Sequence, residues 1–125
     1  MKGIFIKKAE IISEDERRRI FSILNGELGI RDIHLLEIKK GEQILGNHKH
    51  WYAELCFVYK GKCHYWVKNK EGEQGEFDLE AGDIMFRAPE IVHTAECSED
   101  CVLIDGCCES WIDEDWNHVR EVLKK

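Results

Sequence analysis

Short runs of alternating apolar and polar residues, cut roughly every six to twelve positions by turn-forming residues, dominate this chain. Gly3 to Lys7 reads as a first short strand. Ser13-Glu14-Asp15-Glu16 has the pattern of a helix capping box, but the apolar run to Leu24 ends at Asn25-Gly26, a hairpin-type turn, so the spacing favours a strand there. Asp32 to Lys39 alternates, with Ile33 and Leu35 on one face and His34, Leu36 and Ile38 on the other. Further strands are predicted within His50–Tyr59, Cys63–Lys68, Glu76–Leu79, Ile84–Arg87, Val92–Glu96 and Cys101–Asp105. The turns between them fall at Lys40-Gly41-Glu42, Lys60-Gly61-Lys62, Asn69–Gly75, Glu80–Asp83, Pro89 and Ser98–Asp100. Many short strands at this spacing predict an all-β sandwich or barrel. Only the tail differs. Trp116, Val119 and Leu123 recur at helical spacing, behind the N-cap candidates Asp113 and Asp115 and ahead of Lys124-Lys125, which predicts a short C-terminal α-helix over residues 113–125.

Composition narrows the class. A length of 125 residues supports one domain, 1–125, with a single core. The net charge of −7 and the lack of a basic run argue against a nucleic-acid partner. No apolar stretch approaches membrane-span length and no signal-peptide pattern opens the chain, so a cytoplasmic protein without a membrane partner is expected. In that compartment the six cysteines, Cys56, Cys63, Cys97, Cys101, Cys107 and Cys108, are expected to be reduced. No C-x-x-C pair occurs, so they read first as small buried hydrophobes and only second as a further metal site.

The strongest chemistry lies in His48, His50 and Glu54, an H-x-H-x-x-x-E cluster, together with His93. On extended backbone, His48, His50, Glu54 and Cys56 share one face. His93 joins them if the fold brings its strand alongside. Three imidazoles and a carboxylate suit a divalent metal with open coordination positions, and zinc, iron, manganese, nickel and cobalt all fit such N/O donors. The alternative is a set of satisfied polar groups inside a barrel, but unpartnered burial of such groups costs on the order of 1–3 kcal/mol each, which a metal relieves. Two other residues carry candidate chemistry. His34, on the strand before the cluster, is a candidate acid/base beside the alternative of a structural histidine. Arg87, placed near a barrel mouth, can hold a carboxylate or phosphate, and its alternative is a solvated rim arginine. Trp51, Tyr52, Tyr65 and Trp66 either fill the barrel or line a pocket, with filling the commoner use. His64 and His118 read as surface residues.

These residues resemble the cupin family over roughly residues 30–106. The family's first motif is G-x5-H-x-H-x3-4-E-x6-G, and His48, His50, Glu54 and Gly61 match it, with the leading glycine displaced. Its second is G-x5-P-x-G-x2-H-x3-N. Here Gly82 and His93 have the family's separation, Pro89 is shifted by one, the inner glycine is missing, and Cys97 stands where asparagine is usual. The resemblance implies a double-stranded β-helix, the cupin jelly-roll barrel, with His48, His50, Glu54 and His93 as metal ligands. Asp15-Glu16-Arg17 followed by Ile20–Leu24, and later Gly46-Asn47-His48-Lys49-His50, are also similar to cupins that isomerise or epimerise nucleotide-linked keto-sugars. That resemblance implies an isomerase or epimerase acting on a sugar-like keto compound; together with the metal-ligand set it gives the expectation of a metal-dependent one, with His34 and Arg87, read from their strand positions, as candidate catalytic residues. A metal-dependent dioxygenase and a non-catalytic small-ligand- or metal-binding cupin are the alternatives. Barrel edges and an apolar outer face predict a homodimer.

Overall fold

The computed structural model describes residues 1–41 and 52–108. His48 and His50, Trp51 and the tail that carries the predicted helix and His118 lie outside the described residues. The described chain holds ten strands: β1 (Ile4–Lys8), β2 (Glu10–Glu14), β3 (Arg19–Ser22), β4 (Asp32–Ile38), β5 (Glu54–Lys60), β6 (Lys62–Lys68), β7 (Gln74–Glu80), β8 (Asp83–Arg87), β9 (Val92–Cys97) and β10 (Cys101–Cys107). They form a five-stranded sheet in the order β1-β8-β5-β10-β4, a three-stranded sheet β7-β6-β9, and a separate β2-β3 hairpin. Every pairing is antiparallel. The all-β architecture expected from the turn spacing is the one observed, and its two packed sheets are those of the jelly roll that the resemblance implies. Among the described residues no helix is long and apolar enough to cross a membrane.

The pleat decides what each sheet buries. In β6 the positions Cys63, Tyr65 and Val67 are buried while their neighbours are not, and these three share a core cluster with Leu79, Ala95 and Cys97 of the flanking strands and Cys56, Val58, Met85 and Leu103 of the larger sheet. The core therefore lies between the two sheets. A second cluster sits on the opposite face of the larger sheet, where Leu55, Phe57 and Ile84 are covered by Ala9, Ile23, Leu24, Leu28 and Ile30. Strand β5 is thus buried on both faces, which is why Leu55-Cys56-Phe57-Val58 reads as a continuous apolar run rather than an alternation.

Local chemistry sets the turns. The Ser13–Glu16 pattern does not start a helix; the Asp15 carboxylate instead accepts hydrogen bonds from the backbone N–H of Arg17 (2.8 Å) and Arg18 (3.1 Å), turning β2 into β3. Gly61 closes the β5–β6 turn at φ +97°, and a Cβ there would lie 2.4 Å from the Asp100 carbonyl oxygen. Only glycine fits that approach. The turn before β9 lacks such relief. Glu90 occupies the position of the missing inner glycine, three residues before His93, and adopts φ +70°. It is the one non-glycine residue with positive φ among those described. Left-handed backbone costs a side chain roughly 1–2 kcal/mol. Glu90→Gly should therefore raise stability by about 0.5–1 kcal/mol, after the entropic cost of glycine. A rise in urea midpoint at unchanged slope would show it; a fall would mean the Glu90 side chain contributes more than its backbone strain removes.

Candidate functional site

The inward positions of the barrel are apolar along most of its length and polar at one end. That end collects Glu54 from β5, Arg87 from β8, His93 from β9 and Asp105 from β10, all buried, with the half-buried His34 and Asp32 of β4 beside them. Strand register accounts for the grouping. Glu54 stands opposite Arg87 on one side and Cys107 on the other; Asp105 stands opposite both Cys56 and His34. Side chains that share a row across neighbouring strands point to the same face, so one end of the barrel receives the whole set.

Glu54 and Arg87 form its centre. Arg87 Nε donates to Glu54 Oε1 at 3.1 Å, and Nη2 lies 2.9 Å from the same oxygen. Nη2 makes an ion-pair contact without satisfying hydrogen-bond geometry, which explains why it also counts among the buried nitrogens lacking a hydrogen-bond partner. The guanidinium carbon sits 5.7 Å from the Tyr65 ring centroid. Burial works against the charge on Arg87, and the neighbouring Glu54, Tyr65 and Asp105 outweigh it, so the guanidinium stays charged. Arg87 is 1% exposed. The solvated-rim alternative is therefore corrected: this arginine belongs to the interior. A cleft of about 360 Å³ lined by Phe5, Leu28 and Phe86 also touches Arg87, but it belongs to the outer face of the sheet.

His93 is wholly buried. Its Nδ1 lies 3.3 Å from the Ile91 carbonyl oxygen, which can only accept, so Nδ1 carries the proton. In the neutral ring the lone pair then falls on Nε2, which lies 3.8 Å from Glu54 Oε1. This is the tautomer a metal-ligating histidine needs. The two expected ligands within the described residues thus converge on one point. Among the described residues no group of three His, Cys, Asp or Glu side chains is placed to hold a metal ion.

Asp105 is the site residue that sequence reasoning missed. It is buried, and burial pushes its carboxyl up to about 6 against the opposing pull of Arg87. Its Oδ1 has no hydrogen-bond partner among the described residues, and neither does Arg87 Nη1. The only sequence signal was its place on the His34 face of the neighbouring strand, which needs the β4–β10 register to read. Within β4 itself, His34 Nε2 lies 3.5 Å from Asp32 Oδ1. Tyr65 fills the barrel, its hydroxyl 3.4 Å from Cys56 Sγ, and burial raises the pKa of both groups so that they stay neutral. His64 lies on the outer face, held between Asp78 (2.6 Å) and Glu76 (2.8 Å), away from the site. Five of the six cysteines are buried and all six are free thiols, as expected for small core residues.

The Cupin domain family model matches residues 34–107. Among solved structures, this chain is similar to a mutant 3,4-ketoisomerase from Thermoanaerobacterium thermosaccharolyticum in complex with TDP-4-keto-6-deoxyglucose, at 16% identity and TM-score 0.76, covering 97% of this chain and 89% of that one. It is similar to a 3,4-ketoisomerase from Helicobacter canadensis at 16% identity and TM-score 0.76, covering 94% and 90%. A dTDP-4-dehydrorhamnose 3,5-epimerase from Elizabethkingia anophelis matches at 16% identity and TM-score 0.74, covering 99% and 82%. No curated protein sequence matches. At these identities the likeness is one of fold.

The Asp105 shift makes stability depend on pH. Its folded value of about 6 exceeds the ordinary 3.8, so the native state holds the proton more tightly than the unfolded chain. The penalty for burying the charge is absent below about pH 4, grows as pH rises through 6, and is complete above it, at up to about 3 kcal/mol. Asp105→Asn should therefore be more stable than the native protein near pH 7.5 and gain nothing near pH 4. Urea denaturation at both values checks this; an equal difference at the two would contradict it.

Proposed function

Because the chain belongs to the cupin domain family, we propose that its barrel is a metal-dependent isomerase or epimerase site for a sugar-like keto compound, in the class of nucleotide-linked keto-sugars. The observation that carries this reading is the convergence of Glu54, His93 and Arg87 on one carboxylate oxygen in a buried polar layer. Two ligand-bound structures similar to this one add support, since one carries TDP-4-keto-6-deoxyglucose and the other TDP.

Two of the described side chains, Glu54 and His93, would suit a divalent cation. Glu54 offers a carboxylate oxygen, and His93 places Nε2, the lone-pair nitrogen of its neutral ring, 3.8 Å from it. The buried layer carries two carboxyl groups, Glu54 and Asp105, against the single guanidinium of Arg87, so at neutral pH it has anionic charge to spare for a cation. His48 and His50 would complete the donor set with Glu54 and His93. Such a metal supplies Lewis acidity toward a carbonyl or enediolate. Zinc, iron, manganese, nickel and cobalt remain equally suited to these donors.

The chain's own residues supply the rest. His34 stands at the half-buried edge of the layer and serves as the base that takes a proton from the carbon next to the ketone. The C–H bonding pair forms the new carbon–carbon double bond, the carbonyl π pair moves onto the oxygen, and Arg87 holds the negative charge that develops there. Return of the proton to the other face of the same carbon inverts it. Delivery to the former carbonyl carbon, with a hydroxyl proton passing between the two oxygens, moves the ketone. Apolar walls from Met85, Leu103 and Tyr65 exclude water beneath the layer.

The same outer surface that leaves Ile33 and Leu35 exposed on the edge strand β4 serves, in this reading, for self-association. Sedimentation equilibrium should give a homodimer, and a strictly monomeric protein would overturn that part.

Metal content and turnover test the main reading together. The purified protein should carry stoichiometric metal, and His48→Ala combined with His50→Ala should lose it; retained metal would sink the ligand assignment. Chelation should lower the melting temperature, since a ligand of the native state stabilises by mass action. Incubated with TDP-4-keto-6-deoxyglucose, the metal-loaded protein should form an isomer or epimer visible by NMR. A metal-loaded protein that leaves a panel of such keto-sugars unchanged would contradict the enzyme reading.

A further inference from the structure

Three buried atoms of Arg87 and Asp105 have no hydrogen-bond partner among the described residues, and of these Arg87 Nη2 is met by the Glu54 carboxylate as an ion pair, which leaves Arg87 Nη1, a donor, and Asp105 Oδ1, an acceptor. Leaving such atoms unpaired costs roughly 1–3 kcal/mol each, and native interiors hold few of them. Their residues are 1% and 6% exposed, so solvent does not supply the missing bonds freely. Nor do they satisfy each other. Strand β5 lies between β8 and β10, so Arg87 and Asp105 stand two strands apart on the inner face. Arg87 spends Nε and Nη2 on Glu54, which fixes the plane of its guanidinium and leaves Nη1 as the spare edge. Asp105 is held beside Cys56, with His34 on its far side. A fixed donor and a fixed acceptor thus lie on the same inner face of the larger sheet.

We propose that Arg87 and Asp105 form a recognition pair for an α-hydroxy ketone, with Arg87 Nη1 donating to the carbonyl oxygen and Asp105 Oδ1 accepting from the neighbouring hydroxyl. This deepens the isomerase or epimerase reading and rests on it. It assigns Asp105 as a specificity-determining residue that touches substrate. A plain ketone fills only the Arg87 half of the pair and leaves the Asp105 oxygen dry and unpaired. A site built to bond a hydroxyl rejects the analogue that lacks it far more strongly than an apolar pocket rejects a missing methylene.

Calorimetric titration of the metal-loaded protein tests this with two probes, TDP and TDP-4-keto-6-deoxyglucose. The native protein should bind the keto-sugar nucleotide at least tenfold more tightly than TDP. Asp105→Ala and Asp105→Asn should lose most of that margin while their TDP affinity moves less than threefold. A keto-sugar analogue lacking the hydroxyl next to the ketone should bind the native protein weakly and bind Asp105→Ala no worse, a coupling that a merely structural role would not produce. If the native protein shows the margin and both variants keep it, this inference fails and the enzyme reading survives. If the native protein binds neither nucleotide, dihydroxyacetone and acetone serve as nucleotide-free probes by saturation-transfer NMR. A preference for dihydroxyacetone that Asp105→Ala abolishes supports the pair even then, and its absence overturns it.

Discussion

A guanidinium held inside a small β barrel is the constraint around which the other polar groups are arranged. Taking an arginine out of water costs several kcal/mol unless its charge is met at close range. Arg87 is met by Glu54 at 2.9–3.1 Å and lies over the face of Tyr65. That solution depends on register. Glu54 and Arg87 face each other because β5 and β8 pair antiparallel with those two residues opposed, and a slip of one residue would send both side chains to the apolar outer face against Leu28 and Ile30. The ion pair is weak evidence of stability, since an apolar pair of similar volume could serve as well or better. Its retention in a core otherwise made of Cys, Val, Leu, Met and Tyr points instead to use.

The division of the barrel follows from the same pleat. Each inward strand position alternates with an outward one, so polarity inside varies along the barrel and not around it. At one end the turn residues Gly61 and Gly82 close over Cys63, Cys97, Cys101 and Leu79, an apolar plug. At the other end five strands each contribute a polar side chain. A group such as Asp105 is tuned by this setting, its carboxyl raised by burial while Arg87 pulls it back. The strained Glu90 lies three residues before His93, at the same polar end. Strain of this kind persists only where the surrounding structure over-determines it.

Strand positions were legible because alternation and glycine turns are local signals. His34, Leu36 and Ile38 were placed on one face, and the structure buries that face and exposes Ile33 and Leu35. The pairing of Glu54 with Arg87 was not legible, because their 33-residue separation is bridged only by the sheet. For the same reason Arg87 read as a mouth residue. Asp105 looked like the polar end of a strand before a turn; β10 instead runs on to Cys107 and carries it inside. Asp15 carried a capping signal that the chain spends on a hairpin turn, since an Asx side chain can satisfy either kind of backbone N–H. Strand β2, fully exposed, had no alternation to reveal it.

The central claim is that the polar end of the barrel, organised by Arg87 and Glu54, is where the protein meets its ligand. The most direct measurement is the response of the Arg87 side-chain Nε–H and the His93 ring resonances to added TDP-4-keto-6-deoxyglucose in 15N-labelled protein, with His64 on the outer sheet face as the internal reference. The account predicts saturable shifts at Arg87 and His93 with His64 unmoved. Shifts confined to His64 or the outer surface, with Arg87 and His93 unchanged at saturating ligand, would contradict it.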